Sequence, residues 1–357
     1  MNNKYFASTL LEWYSLHKRD LPWRNTKDPY IIWLSEIILQ QTRVAQGLPY
    51  FEKFIQNYPK VEDLAVAPAD EVMRLWQGLG YYSRARNLHY CAKEVVSIYG
   101  GRFPDSYHGL LRLRGVGSYT AAAIASFAFD QAVAVVDGNV FRVLARYFGI
   151  STDIASSKGK MEFEAIANQN ISKDHPAEYN QAIMEFGSLQ CTPKNPDCTH
   201  CPLKANCFAF KEGMVEQLPV KINKLKVKTR YFNYLYIRCG LNVIVKQRGA
   251  GDIWQGLYDF PLHESKRELI SNIEDLDMFS NIESITDKVK FNPQSTFKHI
   301  LTHQRIFANF VEFTINEKSQ EQLREWVKQR GFEMVDMETL ENLPKPRLLL
   351  RFLNEEK

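Results

Sequence analysis

The stretch from Leu110 to Arg142 decides the fold and reads LLRLRGVGSYTAAAIASFAFDQAVAVVDGNVFR. Its first half predicts a helix, a tight Gly-Val-Gly turn and a second helix at Tyr119–Phe127. Gly115 and Gly117 permit a sharp turn and leave room for a ligand near the main chain. Ser118 is a residue type that favours an N-cap, so the amides of the turn and of the helix N-terminus would face outward together. The turn therefore predicts a binding site for an anion such as a phosphate.

An acidic turn follows the second predicted helix. The apolar run 132–136 leads into an Asp-Gly-Asn turn at Asp137, which brings a carboxylate towards the predicted anion site. A Gly-x-Gly pair alone favours an ordinary interhelical turn, and Asp137 alone favours an ordinary N-cap. The presence of both features in one stretch favours a functional site.

The composition is that of a globular protein with two domains. The chain has 357 residues, which exceeds one typical domain, and 45% hydrophobic with 24% charged residues suits a folded protein. A net charge of +4 is compatible with a nucleic-acid partner but does not indicate one. No apolar run reaches the roughly 20 residues that a bilayer requires, and the first residues do not resemble a signal peptide. We therefore expect a cytoplasmic protein without a membrane partner, whose six cysteines are reduced.

The N-terminal segment predicts an amphipathic helix over residues 4–19, ended by a Leu-Pro-Trp-Arg sequence. Trp23 is expected to pack in the core. Arg24 is as consistent with a surface charge as with a site residue.

A second predicted helix, Ile31–Arg43, carries one acidic side chain, Glu36, among isoleucines and leucines. Most helical glutamates point to solvent or pair with arginine, but apolar neighbours on nearly all sides leave little room for exposure here. An apolar environment raises the pKa of a carboxyl group, so that Glu36 can act as a general acid near neutral pH. Gln40, Gln41 and Thr42 at the helix end have neutral hydrogen-bonding groups of the kind that read base edges.

The segment Trp76–Asn87 places aromatic side chains beside cations. Tyr81 and Tyr82 lie next to Arg84 and Arg86, a combination that suits stacking on bases and binding of phosphate. A capped helix with core tyrosines is the alternative, and it fits Tyr82 better than Tyr81.

Four of the six cysteines fall in one short window with the spacing C-x6-C-x2-C-x5-C. They are Cys191, Cys198, Cys201 and Cys207. This density predicts a metal site. Zinc binds four cysteines, but usually as two C-x2-C pairs, and only one such pair is present. Four thiolates are also the ligands of a [4Fe–4S] cluster.

The pattern changes after residue 218. Residues 219–230 have the basic composition of a linker, and short β runs begin at Tyr231. The predicted elements are strands at 231–238, 241–247 and within 296–315, and helices at Ser265–Asn272 and from about Ser319 to Arg330. We therefore predict a helical domain over 1–218 and a smaller α+β domain over 231–357.

Five motifs together resemble the MutY family of adenine DNA glycosylases, within the endonuclease III superfamily. They are Leu34-Ser-Glu-Ile-Ile-Leu-Gln-Gln-Thr42, Gly78-Leu-Gly-Tyr-Tyr-Ser83, Leu113-Arg-Gly-Val-Gly-Ser-Tyr-Thr120, Val136-Asp-Gly-Asn-Val140 and the four cysteines. The resemblance covers nearly the whole chain and is most specific in the helical part. It implies a mainly α fold, in which a helix-hairpin-helix barrel and a [4Fe–4S] cluster module precede a Nudix-like domain. It also implies a monomeric enzyme that removes adenine mispaired with 8-oxoguanine or guanine in double-stranded DNA.

The same resemblance assigns roles to five residues. Glu36 becomes the acid that protonates the adenine ring, and Asp137 the carboxylate that stabilises the oxocarbenium ion. Gln41 and Tyr81 match positions that wedge into the duplex where the adenine leaves the stack. Tyr119 takes the position of the catalytic lysine of the lyase relatives. Because a tyrosine cannot form a Schiff base, the resemblance implies a monofunctional glycosylase.

The second domain resembles the family more weakly. Its segment Trp254–Pro261 fits, but the Nudix hydrolase box is missing, so the domain is expected to bind rather than to hydrolyse. Thr302 and His303 match the segment that reads the 8-oxoguanine. In the first domain, Gly115, Gly117 and Ser118 match the hairpin that binds the DNA phosphate.

Two other functions fit part of the sequence. One is an endonuclease III-like glycosylase and lyase for oxidised pyrimidines, and the other is a non-catalytic iron–sulfur protein that binds DNA. Tyr119, Glu36 in the first motif and the additional domain argue against the lyase. Glu36 also argues against the non-catalytic protein, because a protein that only binds DNA has no use for a desolvated acid.

Overall fold

The computed structural model describes residues 3–222, 227–276 and 282–355. The chain forms two compact units, one of residues 1–66 with 87–223 and the other of 67–86 with 224–357. Part of the predicted linker, 223–226, lies outside the described residues. The limits 1–218, 219–230 and 231–357 therefore stay a prediction.

Helices form most of the described part of the first unit, and further helices belong to the second unit. In chain order they are α1 Asn3–His17, α2 Pro29–Leu39, α3 Val44–Asn57, α4 Val61–Val66, α5 Ala69–Leu75, α6 Ser83–Tyr99, α7 Tyr107–Leu110, α8 Ser118–Phe129, α9 Gly138–Phe148, α10 Ser157–Asn170, α11 Pro176–Leu189, α12 Phe208–Lys211, α13 Gln320–Gln329, α14 Met337–Asn342 and α15 Arg347–Glu355. A single 3₁₀ turn at Pro22–Arg24 precedes α2. Within the described ranges, no helix combines the length and the apolarity that a bilayer crossing requires.

Helix α2 begins where the sequence requires it. The Asp28 carboxylate accepts a hydrogen bond from the Tyr30 backbone nitrogen at 2.8 Å, and Pro29 follows as the first helical residue. The helix is buried on almost every side and packs against α8. Because residues 121–125 of α8 are alanines with one isoleucine, the two helices approach closely. Helix α11 packs against α1, α8 and α9, so that these helices surround one region of the first unit.

The described part of the second unit is built on an eight-stranded sheet. Its strands are β1 Lys228–Cys239, β2 Asn242–Gln247, β3 Tyr258–Asp259, β4 Leu262–Ser265, β5 Thr286–Phe291, β6 Phe297–Ile300, β7 Gln304–Ile315 and β8 Glu333–Asp336. Strands β1 and β7 run parallel, with Tyr231 opposite Phe307, and the remaining pairings are antiparallel. Helix α13 packs its apolar face on the core below the sheet, as expected for an α+β domain.

The helix predicted at Ser265–Asn272 is wrong. Ser265 ends β4, where it pairs with Tyr231 of β1, and the residues that follow form bends. The backbone of Ile270 hydrogen-bonds two fully buried side chains: its nitrogen donates to Asn233 Oδ1 at 3.0 Å, and its carbonyl accepts from Asn309 Nδ2 at 3.4 Å. These contacts with the sheet override the helix propensity of the segment.

Candidate active site

A cavity of about 520 Å³ lies in the first unit, at the region that the helices surround. Side chains from α2, α8 and α11, from the 3₁₀ turn and from the start of α9 line it. Its polar and charged wall includes Arg19, Arg24, Glu36, Tyr119, Asp137, Asn139, Gln181 and Glu185. Three of the residues that the sequence singles out, Glu36, Asp137 and Tyr119, therefore share one cavity.

Glu36 lies in the wall of this cavity and is 8% exposed. Burial raises the pKa of its carboxyl group to about 7, and the nearby Asp137 raises it as well. A hydrogen bond from Tyr119 and the charge of Arg24 act in the opposite direction but do not cancel the effect of burial. The protonated form of Glu36 is therefore favoured near neutral pH far more than in an exposed glutamate, as a general acid requires.

Asp137 is an N-cap and a cavity residue at once. Its Oδ1 accepts hydrogen bonds from the backbone nitrogens of Asn139 at 2.9 Å and Val140 at 2.8 Å, and its Oδ2 accepts from Asn139 Nδ2 at 2.8 Å. Burial raises the pKa of the carboxyl group above its ordinary value, although these hydrogen bonds and the charge of Arg142 favour the ionised form. The N-cap role thus fixes the carboxylate at the cavity wall.

Tyr119 lies in the first turn of α8. Its hydroxyl donates a hydrogen bond to Sδ of Met184 at 3.3 Å and is also close enough to the Glu36 carboxyl group to lower the pKa of Glu36 by hydrogen bonding. Burial, and then the charges of Glu36 and Asp137, raise the pKa of Tyr119 well above its ordinary value, so the phenol stays neutral. Tyr119 can therefore donate a hydrogen bond to Glu36, but it does not supply a nucleophilic amine.

Arg24 lines the same cavity but is bound to another acid. Its guanidinium donates to Glu185 through Nη1 at 3.0 Å and Nη2 at 2.8 Å. Sequence reasoning missed Glu185, although its apolar neighbours Met184 and Phe186 give a signal similar to that of Glu36. Trp23 is buried and meets the ring of Phe51 edge to face, so its predicted packing role is confirmed.

The glycine turn differs from its prediction in one detail. Gly115 has a φ of +79°, and a Cβ there would lie 2.7 Å from Asn87, so only glycine fits. Gly117 has a φ of −91° and open space where a Cβ would be. Ser118 is wrong as the N-cap, because the Gly117 carbonyl accepts the first helical hydrogen bond, from Ala121, at 2.9 Å. Ser118 is the exposed first residue of α8.

Gln41 stands outside the helix that precedes it. Helix α2 ends at Leu39, and Gln41 is exposed with a φ of 57°, which is uncommon for a residue with a side chain. Gln40 instead points inward, where its Nε2 lies 3.3 Å from Thr120 Oγ1. Unusual backbone conformations of this kind cluster at functional sites.

The second unit has its own cavity, of about 630 Å³. Tyr81, Thr302 and His303 line it together with Trp254, and the Tyr81 hydroxyl hydrogen-bonds the Thr302 hydroxyl. Tyr81 is 44% exposed and has a φ of 46°, whereas Tyr82 is buried, as the core alternative predicted for it. The second unit therefore brings Tyr81, one of the two residues matched to duplex wedging, together with Thr302 and His303, which were matched to 8-oxoguanine reading.

The four clustered cysteines follow α11, and two of them, Cys191 and Cys207, contact Arg146 of α9. Arg146 donates to Cys191 Sγ at 3.4 Å, and the Cys207 thiol donates to the Arg146 carbonyl at 3.5 Å. Burial raises the pKa of the Cys198 thiol, and the thiols of Cys191 and Cys207 raise it further. Among the residues described, no group of three or more His, Cys, Asp or Glu is arranged so that it could hold a metal ion. Four thiols in one loop are nevertheless the donor set of a [4Fe–4S] cluster.

Comparisons with known proteins identify the families that the two parts of the chain resemble. Residues 34–172 match the family described as HhH-GPD superfamily base excision DNA repair protein, and residues 233–355 match a NUDIX domain. An adenine DNA glycosylase of Buchnera aphidicola subsp. Baizongia pistaciae is 35% identical over 89% of this chain and 89% of its own length. The adenine DNA glycosylase of Mus musculus is 41% identical over 73% of this chain and 52% of its own length.

Solved structures agree on the helical fold. The structure of a thermostable thymine-DNA glycosylase is 33% identical with a TM-score of 0.55, and the match covers 59% of this chain and 97% of that one. The helical fold with a Nudix-like second domain is therefore confirmed. Because a relative named adenine DNA glycosylase is 35% identical to the chain over 89% of both lengths, the chain belongs to the adenine DNA glycosylase family.

Proposed function

We propose that the protein is a monofunctional glycosylase that excises adenine paired with 8-oxoguanine or guanine by hydrolysis of the N-glycosidic bond. The relatives named adenine DNA glycosylase support the reaction class. The observation that carries the proposal is a buried glutamate with a pKa of about 7, Glu36, in one cavity with the carboxylate of Asp137.

The two carboxyl groups divide the reaction between them. Glu36 donates its proton to a ring nitrogen of the extruded adenine, which makes the base a better leaving group. As the bond breaks, positive charge develops on the deoxyribose, and the ionised Asp137 stabilises this oxocarbenium ion until water adds. Tyr119 orients Glu36 by its hydrogen bond, and without an amine at this position the reaction stops at the abasic site.

Double-stranded DNA is the proposed partner. The exposed amides around Gly117 and Ser118, at the N-terminus of the 12-residue helix α8, suit a backbone phosphate. Gln41 is exposed and held in an unusual conformation near the end of α2, which suits insertion into the base stack. Extrusion of a base costs a few kcal/mol, and such contacts offset that cost.

The cavity of the second unit is the proposed site for the base opposite the adenine. Hydroxyl and imidazole groups of Thr302 and His303 offer hydrogen bonds to a modified purine, and the aromatic side chains of Tyr81 and Trp254 offer stacking surfaces. The pairing of Tyr81 with Thr302 supports a common role for the two residues in recognition of 8-oxoguanine.

We assign the four thiols of the cysteine loop, Cys191, Cys198, Cys201 and Cys207, to a [4Fe–4S] cluster. Such a cluster would cross-link the loop and supply a one-electron redox centre. The chain's own contribution is the loop and Arg146, whose guanidinium binds the loop at Cys191 Sγ and at the Thr192 carbonyl at 2.8 Å. Free thiols suit the reducing cytoplasm, where we expect the enzyme to act as a monomer.

A single-turnover assay tests the proposal. Duplexes that contain A:8-oxoguanine, A:G or A:C should release adenine from the first two much faster than from the third. Borohydride should trap no covalent adduct on these duplexes, because the lyase reaction requires an amine. Release of an oxidised pyrimidine together with a trapped adduct would contradict the proposal and favour the endonuclease III-like alternative.

A further inference from the structure

Glu185 is a buried acid in the cavity wall that the proposed mechanism does not use. Its side chain is 1% exposed and lies on α11. Arg19 donates to it through the backbone nitrogen at 3.0 Å, Nε at 2.8 Å and Nη2 at 2.5 Å. Arg24 donates to it through both Nη atoms. One carboxylate therefore binds two guanidinium groups, each by two nitrogen atoms.

The two arginines keep Glu185 ionised. Burial disfavours its charged form, but the hydrogen bonds from Arg19 and Arg24 outweigh burial and lower the pKa of Glu185 to about 2. The Arg24 side chain is only 12% exposed, so that solvent screens its pairing with Glu185 weakly.

Arg24 and Glu36 line the same cavity, and the positive charge of Arg24 lowers the pKa of Glu36. The groups that influence the Glu36 carboxyl are Tyr119 from α8, Asp137 before α9 and Arg24 from the turn before α2. A positive charge favours the ionised form of Glu36, whereas a general acid must keep its proton.

Both Nη atoms of the Arg24 guanidinium already donate hydrogen bonds to residues other than Glu36. Nη1 donates to the Arg19 carbonyl at 3.0 Å and to Glu185, and Nη2 donates to Glu185. The guanidinium therefore faces Glu185 with both of its Nη atoms.

We propose that Glu185 is a positioning residue of the reaction, whose carboxylate holds the Arg24 guanidinium and prevents it from forming an ion pair with Glu36. The inference rests on the proposed role of Glu36 as the general acid. Without the Glu185 charge, Arg24 would be a cation inside the cavity with Glu36 and Asp137 as the carboxylates left in the wall. Because an unpaired buried charge is strongly unfavourable, Arg24 would move to one of them.

The test is the pH dependence of single-turnover adenine release from an A:8-oxoguanine duplex between pH 5 and 9. In the wild type the rate falls as the pH rises through the pKa of Glu36. In Glu185→Gln we expect this fall about one pH unit lower, which makes the rate about tenfold smaller on the alkaline side. Addition of Arg24→Met to Glu185→Gln should move the fall back towards the wild-type pH. Glu178→Gln, on the same helix at a position that is 59% exposed, should match the wild type.

Glu185→Asp serves if Glu185→Gln does not fold. The shorter aspartate keeps the charge but cannot reach both arginines. The alkaline decrease of the adenine-release rate should therefore move to lower pH, by less than in Glu185→Gln. A rate that drops equally at every pH, with no movement of the fall, would show a merely structural role and overturn the inference. Persistent activity of Glu36→Gln would instead contradict the proposed function, so the two failures are distinguishable.

Discussion

Asn139 Nδ2 donates a hydrogen bond of 2.8 Å to Oδ2 of Asp137. Oδ1 of the same amide accepts from Arg142 Nη2 at 2.9 Å, and Arg142 Nε donates to the Cys191 carbonyl at 2.7 Å. Because the two ends of the Asn139 amide have different partners, its orientation is fixed. The first turn of α9 therefore orients the proposed catalytic carboxylate and contacts the start of the cysteine loop.

Asn139→Ala should slow adenine release about 10- to 100-fold, because a hydrogen bond to a charged group is worth about 1.5–3 kcal/mol. The backbone hydrogen bonds to Asp137 remain, so α9 should still form. Single-turnover rates on an A:8-oxoguanine duplex measure the effect, with the exposed Asn57→Ala as the control. Equal rates for the two variants would mean that the Asn139 amide does not orient Asp137.

Tyr119→Phe should move the alkaline fall of the rate to higher pH. The Tyr119 hydrogen bond lowers the pKa of Glu36 from the value that burial alone would give, so its loss raises that pKa above about 7. An acid that must be protonated is active below its pKa, and the active range therefore extends upward. Single-turnover rates between pH 5 and 9 check the direction. A fall that moves to lower pH would contradict the assigned hydrogen bond.

Alanine substitutions at the two hairpin glycines should have different effects: Gly115→Ala should lower stability, and Gly117→Ala should weaken DNA binding. Gly115→Ala forces a side chain into a left-handed conformation and against Asn87, and should lower the free energy of unfolding by about 1–2 kcal/mol. Gly117→Ala has an ordinary φ and open space, so it should keep its stability but weaken duplex binding where the phosphate approaches. Urea unfolding and duplex titration measure the two effects. Wild-type duplex affinity of Gly117→Ala would contradict the phosphate site.

Cys198→Ser should abolish iron binding, whereas Cys239→Ala should not. Cys198 belongs to the clustered thiols, and Cys239 is a buried thiol of β1. The freshly purified wild type should be brown with a broad band near the violet, and metal analysis should give iron. A colourless protein that contains zinc would contradict the cluster assignment and favour the other metal that four cysteines bind.

The catalytic candidates in the cavity could be predicted from the sequence, whereas the ion pairs that surround them could not. Glu36 was predictable because a lone acid among isoleucines and leucines has no route to solvent on a buried helix. Glu185 gives a similar signal, but its significance depends on Arg19 and Arg24, which are more than 150 residues away in the chain. Such a pairing is visible only after folding.

Local propensity failed where long-range contacts decide the structure. The segment after Ser265 has helix-forming residues, yet buried asparagine side chains of the sheet bind its backbone at Ile270. The short strands β5 and β8 were missed for the same reason, because pairing with β7 and β2 defines them rather than a strong local pattern. At Ser118, a one-residue shift of the helix start removed the predicted cap.

The most direct test of the central claim is the rate of adenine release by Glu36→Gln from an A:8-oxoguanine duplex in a single turnover at pH 7. Because the amide cannot donate the proton, the rate should fall about 10²- to 10⁴-fold. Glu36→Gln also removes the cost of burying an ionised carboxylate. The variant should therefore unfold at a higher temperature than the wild type at pH 8 and at a similar temperature at pH 5. Such unfolding temperatures would show that the loss of activity does not come from misfolding of the variant. Adenine release by Glu36→Gln at near the wild-type rate would contradict the account.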